Sequence, residues 1–263
     1  MRRLSVDKSS FAGIGIALGG ILVGLILEGG KVVQLLQPTA ALIVFGGTIG
    51  AVMLQFPLRV ILAAFRRLAQ VFFESSKNPA ERIAEITRYA HKARKEGIVS
   101  LDTEVQSIRD PFLKKTLMLA VDGTEPQEIR NMMELELMNQ AEHHENIPMV
   151  FESAGGFSPT IGIIGAVLGL IQVMQHLDDI SEVGRGIAVA FVATIYGVGA
   201  ANLFFLPVAG KIKIRMRQEQ TLREMMLEGV ISILEGMNPR MIENKLAGFF
   251  VEANENANKR IAS

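Results

Sequence analysis

The sequence contains no cysteine among its 263 residues, and its acidic and basic residues balance at 27 each. The absence of cysteine excludes disulfide bonds, thiol catalysis, and zinc or iron–sulfur sites held by cysteine. The balanced charge gives no reason to expect a nucleic acid partner. Apolar residues are abundant instead, since 49% of the chain is hydrophobic. This composition indicates a membrane protein.

Four stretches contain no Asp, Glu, Lys or Arg, and each has about the length that a helix needs to cross a bilayer. They are Phe11–Leu27, Leu35–Phe56, Ser153–Leu177 and Gly186–Gly210. The first run reaches Glu28 without a small-residue cleavage site, so we interpret it as a retained span rather than a signal peptide. The sequence therefore predicts four transmembrane helices with both termini on one side.

The distribution of basic residues predicts which side that is. Only Lys31 and Arg185 lie in the short connections after the first and third spans, and the other 25 of the 27 basic residues lie on the opposite side. The positive-inside rule makes that side the cytoplasm. Both termini are then cytoplasmic.

We predict four regions along the chain. Spans one and two occupy residues 1–56, a cytoplasmic helical module 57–152, spans three and four 153–210, and cytoplasmic C-terminal helices 211–263, with a frayed tail from Glu252. Asn78 as N-cap, Pro79 and a stop at Gly97 predict one helix of the module. The amphipathic stretch "LRVILAAFRRLAQVFFES" predicts a helix that leaves the membrane or lies on its surface, or else continues span two.

Small and polar residues mark the interiors of the spans. Glycines four residues apart, such as Gly165 and Gly169, allow helix backbones to approach closely. Buried polar groups in lipid face a helix interface or a wet cavity, or, for a threonine, bond a carbonyl of their own helix. Those of spans three and four are Ser158, Thr160, Gln172, Thr194, Tyr196 and Asn202.

Two prolines interrupt spans three and four at comparable depth. Pro159 and Pro207 both fall in the cytoplasmic third, because the two spans run in opposite directions. Each proline frees a backbone carbonyl and permits a kink. We predict a hinge just above the cytoplasmic module.

No constellation for catalysis is apparent. His143 and His144 are adjacent on a predicted helix and point about 100° apart, which is poor metal-binding geometry. We therefore predict no enzyme activity, no cofactor and no bound metal. The spans also lack a carboxylate between their ends, so an ion that crosses here needs an acceptor from a partner.

Several long segments resemble one known family. They are "FSPTIGIIGAVLGLIQVM", "AVAFVATIYGVGAANLFFLPVAGK", "ARKEGIVSLD", "DPFLKKTLMLAVDG" and "EGVISILEGMNPRMIENKL". In this order they resemble the A subunit of bacterial flagellar motor stators (MotA, PomA and MotP type), within the more distant superfamily of ExbB and TolQ proton channels. The resemblance implies an all-α integral protein of the bacterial inner membrane, assembled as a homo-pentameric ring around two B subunits.

The resemblance also implies the mechanism. The B subunit is anchored to peptidoglycan and carries the ion-binding Asp, and ion passage turns the ring against the rotor protein FliG. Arg94 and Asp102 match the family's rotor-contacting charges, with Lys95, Glu96 and Lys115 as neighbours.

Within the spans, the family's two prolines match Pro159 and Pro207, and its pathway threonine matches Thr194. We place Thr160 and Tyr196 beside that pathway. Ala166 stands where sodium-driven members carry threonine, which removes one oxygen ligand and favours H+ over Na+ as the translocated ion.

Three other functions stay open from the residues alone. An ExbB- or TolQ-like or gliding-type energiser would drive another machine with the same ion. A channel or transporter acting alone is opposed by the lack of intramembrane charge and of internal repeats. A structural scaffold would tolerate replacement of Thr194.

Overall fold

The computed structural model describes residues 4–75 and 78–250, and this part of the chain is helical apart from one antiparallel strand pair. Strand β1 (Leu4–Val6) pairs with β2 (Phe73–Ser75), with Leu4 opposite Ser75. The tail from Glu252 lies outside the described residues. The helices are α1 Lys8–Leu27, α2 Pro38–Gln55, α3 Leu58–Phe72, α4 Pro79–Glu96, α5 Asp102–Val105, α6 Pro111–Val121, α7 Pro126–Gln175, α8 Ile180–Ala200, α9 Leu206–Leu234 and α10 Pro239–Ala247.

Four helical stretches of the described residues are long and apolar enough to cross a membrane, as predicted. They are α1, α2, α7 and the run Ile180–Leu234. The second begins later than predicted, at Pro38, because Val32–Leu35 forms a 3-10 turn. The fourth begins earlier, at Ile180, because the Asp179 side chain accepts from the backbone N–H groups that follow it.

The third and fourth spans are parts of longer helices. Helix α7 has 50 residues and continues through both Pro148 and Pro159, so Pro159 does not end it. The predicted region limits at 152 and 210 fall inside α7 and α9. Those limits stay a prediction.

Helix α3 is separate from the second span. Helix α2 ends at Gln55, and Phe56 has extended backbone angles before Pro57. Proline disfavours the helical conformation in the residue before it, which explains the break. The alternative that this stretch continues span two is therefore wrong.

One compact unit contains the described residues up to Ser75 together with His144–Ile214. Its helix α2 packs on α8 through Ala40 and Val44 against Val192 and Ala193. The unit thus holds α1, α2 and the parts of the other two apolar stretches that lie within 144–214.

The second compact unit contains the described residues of 76–143 and 215–263. Its helices begin at cap–proline pairs: the side chains of Asn78, Asp110 and Asn238 accept backbone N–H groups, each followed by proline. Helix α4 ends where Gly97 adopts a φ of +83°, as the sequence predicted. The fully buried core is formed mainly by Ile86, Tyr89, Leu101, Leu113, Leu117, Ile129, Met133, Met225, Met226, Ile231, Ile242 and Leu246.

A charged network fixes this second unit. The Glu228 carboxylate on α9 accepts from Arg130 of α7 at 2.9 Å and from Lys245 of α10. Burial opposes ionisation of Glu228, but these hydrogen bonds prevail and hold its pKa below the ordinary value. Three helices are therefore joined by one carboxylate.

Candidate functional site

Helices α7 and α8 meet along a seam of small residues. A Cβ added to Gly197 of α8 would lie 2.5 Å from the Ser158 carbonyl, and one added to Gly169 of α7 would lie 2.7 Å from the Gly186 carbonyl. Side chains larger than hydrogen therefore force the backbones apart at these two points. The predicted packing role of Gly165 and Gly169 fits this seam, which also uses Gly162, Gly186, Ala190, Ala193 and Gly197.

Helix α2 covers one edge of this seam. Ile43 approaches Gly165, and Ile161 of α7 packs over Gly47. Tyr196 lies on the same edge, where its hydroxyl donates to the Leu35 carbonyl and accepts the Gln37 backbone N–H at 3.3 Å. The Tyr196 hydroxyl thus holds the segment that leads into α2.

The opposite edge of the seam is not covered by α2, and we call it the open edge, defined by Pro159, Ala166 and Thr194. The three residues are half-buried. By helical periodicity each lies about 80–100° from the seam on the side away from α2. Thr194 and Gly162 lie at the same height along the seam, because a Cβ added to Gly162 would lie 3.5 Å from the Thr194 Cα. The structure thus groups three of the predicted residues.

The hydroxyls of Thr194 and Thr160 bond their own helices. Thr194 Oγ1 donates to the Ala190 carbonyl at 3.2 Å, and Thr160 Oγ1 donates to the Phe157 carbonyl at 2.8 Å. Thr160 is exposed on the face of α7 opposite the seam. The structure therefore does not bring Thr160 or Tyr196 to the open edge.

Ser158 links the two helices at the seam. Its side chain is fully buried, and its hydroxyl donates to the Gly197 carbonyl of α8 at 3.0 Å. Gly197 leaves room for this bond, because any side chain there would collide with the backbone of α7. The bond satisfies a polar group that would be costly in an apolar environment.

A π-helical segment precedes Pro207. Residues Ala201–Phe205 form one widened turn, in which the Leu206 N–H donates to the Ala201 carbonyl five residues back. Proline has no N–H and its ring collides with the carbonyl four residues earlier, here that of Leu203. The widened turn accommodates this clash. On α7, Gly155 is the residue whose carbonyl Pro159 leaves free, and it packs against Leu206.

An ion pair ties α9 to the beginning of α1. Asp7 is buried and caps α1 by accepting the backbone N–H groups of Ser9 and Ser10 at 3.0 and 3.2 Å. Its carboxylate also pairs with Lys211, which donates to the Ser10 hydroxyl at 2.8 Å. The Lys211 ammonium and the Ser9 hydroxyl hold the pKa of Asp7 well below its usual range.

The predicted rotor-contacting charges lie at one corner of the second unit. Arg94, Lys95 and Glu96 end α4 and Asp102 begins α5, with Gly97 and the 3-10 turn Ile98–Leu101 between them. All four side chains are exposed and form no ion pair within the described residues. Next to this corner, an ion pair of 3.2 Å between Lys92 and Glu104 joins α4 to α5.

Lys115 differs from the other four charges. It is exposed on α6, but its ammonium pairs with Glu136 of α7 at 2.5 Å. It therefore also contributes to contacts within the unit. No group of three or more metal-binding side chains is found in residues 4–75 and 78–250.

Comparison with known proteins decides the family. Residues 11–97 match the profile described as motility protein A N-terminal, and residues 104–225 match that of the MotA/TolQ/ExbB proton channel family. Motility protein A of Bacillus subtilis is 39% identical over 92% of this chain and 90% of its own length. Chemotaxis protein PomA of Vibrio alginolyticus is 30% identical over 94% and 96% of the two chains.

Solved structures agree with this result. A chain of C. jejuni MotAB superimposes with a TM-score of 0.88 at 33% identity, covering 93% of this chain and 96% of its own. A chain of the flagellar MotAB stator complex from B. subtilis gives 0.87 at 36% identity, covering 95% and 99%. This chain belongs to the family of flagellar stator A subunits.

For this stator A subunit the predicted family and function are confirmed. The chain is a membrane protein with several spans, and its family is of a stator and ion-channel type rather than an enzyme class. Ser158 lies at a helix interface, one of the two settings expected for it, although its partner was not predicted. Neither the π turn nor the Asp7–Lys211 pair was predicted from the sequence. Only the seam had a usable signal, since Gly186, Ala190, Ala193 and Gly197 recur every three or four residues.

Proposed function

We propose that this stator A subunit forms an ion-conducting rotary complex with a B subunit anchored to peptidoglycan. In it, ion-motive force becomes torque on the rotor protein FliG. A MotB-like partner is supported by the likeness to the two MotAB structures. Five A subunits form a ring around two B subunits in the inner membrane, with both termini in the cytoplasm.

The open edge of the α7–α8 seam carries this proposal. It presents Thr194, with Pro159 and Ala166, beside a seam closed by glycine contacts, and α2 leaves it uncovered. The sequence has no carboxylate within 153–177 or 186–210. An ion crossing a low-dielectric region needs an ionisable acceptor there. The transmembrane helix of the B subunit supplies that carboxylate and lies against the open edge.

The conducted ion is a proton rather than sodium. Ala166 offers no oxygen at the open edge, whereas sodium requires several oxygen ligands to replace its hydration shell. A proton needs only the partner's carboxylate and water. Thr160 and Tyr196 remain predicted pathway residues, on other faces of the helix pair.

The driving force is sufficient for a rotational step. One elementary charge moving through 100 mV releases about 2.3 kcal/mol, several times the thermal energy. Protonation of the partner's carboxylate releases its contact with Thr194 and lets the ring advance. Pro159 and Pro207 absorb the bend, and Arg94, Lys95, Glu96 and Asp102, with Lys115 beside them, contact the rotor.

Replacement of one hydroxyl tests the open edge. Thr194→Val keeps the size of the side chain and removes its oxygen, and Thr48→Val is the matched control, since Thr48 of α2 also bonds its own helix, at 2.6 Å to Val44. In cells that co-express the B subunit, we expect Thr194→Val to reduce swimming speed and proton uptake severalfold and Thr48→Val to leave both near normal. Equal behaviour of the two variants would contradict the proposed pathway.

A further inference from the structure

Helix α3 divides its surface between a packed face and an outward apolar stripe. Ile61, Ala64 and Val71 are buried on one side of it. The outward stripe is formed by Leu58, Leu62 and Phe65, which are 62%, 51% and 59% exposed, together with exposed Ala69. These four positions fall within about 60° of the helix circumference. At one border of the stripe the Phe65 ring meets the Phe151 ring edge to face, with 6.3 Å between the ring centroids.

Two arginines run beside this stripe. Arg59 and Arg66 are seven residues apart, so they lie two turns apart and about 10 Å along the same line of the helix. Both are exposed and neither forms an ion pair within the described residues. Arg67 points to another side and interacts within the chain. The pair is thus available to a ligand outside the chain.

The surrounding sequence carries no compensating negative charge. No Asp or Glu occurs between Glu28 and Glu74, a stretch that contains α2 and the whole of α3. Helix α3 also follows the end of a membrane span after only Phe56 and Pro57. A ligand for this surface must therefore be apolar on one side, anionic on the other, and present where the bilayer ends.

We propose that α3 lies in the membrane interface and that Arg59 and Arg66 bind the phosphodiester headgroup of an anionic phospholipid. Leu58, Leu62 and Phe65 insert among the acyl chains, as apolar faces of interfacial helices do. The guanidinium groups then stand at headgroup level, where each can form paired hydrogen bonds with phosphate oxygens. This lipid site is separate from the proposed ion pathway, so either proposal can fail without the other.

The absence of tryptophan from the chain provides a direct test. Leu62→Trp in the full-length chain places one fluorophore on the stripe, and the protein is reconstituted in vesicles that mix phosphatidylglycerol and phosphatidylcholine. Bromine on the acyl chains of one lipid or the other quenches the fluorescence in proportion to local contact. Ile16→Trp, at an exposed position of α1, reports on the bulk lipid.

We expect brominated phosphatidylglycerol to quench the fluorophore at position 62 more strongly than brominated phosphatidylcholine does. The difference should correspond to a local enrichment of phosphatidylglycerol, relative to the bulk bilayer, of about fivefold or more, because each basic residue near an anionic surface contributes about that factor. Adding Arg59→Gln and Arg66→Gln should reduce the enrichment to that at position 16. Arg240→Gln, an exposed arginine of α10, is the matched control and should leave it unchanged. Equal quenching by both lipids would overturn the headgroup site, and no quenching by either would show that protein covers the stripe.

Discussion

At Gly197, the lack of a side chain fixes the spacing of two membrane helices. A methyl group there would lie 2.5 Å from the Ser158 carbonyl and 3.1 Å from the Gly162 Cα, and both neighbours are backbone atoms that cannot rotate away. The same close approach lets the Ser158 hydroxyl reach the Gly197 carbonyl. One position thus controls both the packing and the polar contact of the seam.

Gly197→Ala should therefore destabilise the protein. Overpacking of this kind costs about 1–3 kcal/mol, and displacement of the helices would also weaken the Ser158 bond. Gly199→Ala is the matched control, because nothing lies within 4 Å of a Cβ there. Thermal unfolding of the purified variants in detergent measures the difference. Equal melting temperatures for the two alanine variants would show that the seam is looser than described.

Asp7 combines two roles that substitution can separate. Asparagine caps helices about as well as aspartate, so Asp7→Asn removes the charge pair with Lys211 and keeps the cap of α1. At neutral pH we expect the variant to lose about 1–3 kcal/mol, as for a hydrogen bond to a charged group. Denaturant titration of the full chain measures this loss, and Lys211→Met should cost less in the Asp7→Asn background than in the wild type, because only its bonds to the Ser9 and Ser10 hydroxyls then remain to be lost.

The pH dependence of that loss follows from the direction of the pKa shift. The folded pKa of Asp7 lies below its unfolded value, so its contribution to stability is fully present above about pH 4, near the unfolded pKa, and is lost as the pH falls further. The difference in the free energy of unfolding between wild type and Asp7→Asn should become smaller below that pH. A difference that stays constant down to pH 3 would mean that the ion pair is not the source of the stability.

Among the elements, the segment from α8 to α9 differs most from a regular helix. Pro148 and Pro159 are contained within α7, whereas Pro207 follows a full π turn at Ala201–Phe205. Such turns often occur at functional positions, and helices kink at them. Lys211 lies four residues beyond Pro207 and is tied to α1. The irregular turn is therefore followed, within α9, by a residue that is tied to the beginning of α1.

Replacement of the two prolines tests the hinge. Alanine at 207 restores an N–H that can bond the Leu203 carbonyl, so the π turn should relax to regular α-helix. We expect Pro159→Ala and Pro207→Ala to reduce torque, measured from the rotation of tethered cells, without reducing the amount of assembled complex. Pro148→Ala, within α7 but in no predicted hinge, is a control. Normal torque in both hinge variants would rule the hinge out.

The elements also show how far the sequence could be interpreted. The four spans and the start and end of α4 were predicted because hydropathy and capping are local signals that depend on few residues. The break before α3 was signalled by Pro57 but left open. The Asp7–Lys211 pair joins residues 204 positions apart, and no local pattern indicates such a contact. The open edge required the register of α7 on α8, which a single sequence does not provide.

For the whole molecule, torque requires charged groups that are free to meet the rotor. Arg94 and Asp102 meet this condition, since they are exposed and form no ion pair in the described part of the chain. Arg94→Glu and Asp102→Lys should each reduce swimming severalfold while the melting temperature stays near that of wild type. Lys115→Glu should instead lower the melting temperature as well, because it places two carboxylates together where Lys115 pairs with Glu136. A large loss of stability in the first two variants would contradict their assignment to rotor contact.

The decisive measurement for the ion pathway is the swimming of cells that co-express this chain with its B subunit, driven separately by a proton gradient and by a sodium gradient. A proton pathway completed by the B subunit predicts swimming that follows the proton gradient, ignores sodium, and stops when the proposed intramembrane Asp of the B subunit is replaced by Asn. Swimming that follows sodium would contradict the assignment of the ion and the interpretation of Ala166. Swimming that survives loss of the partner's Asp would show that the open edge is not completed by a carboxylate from another chain.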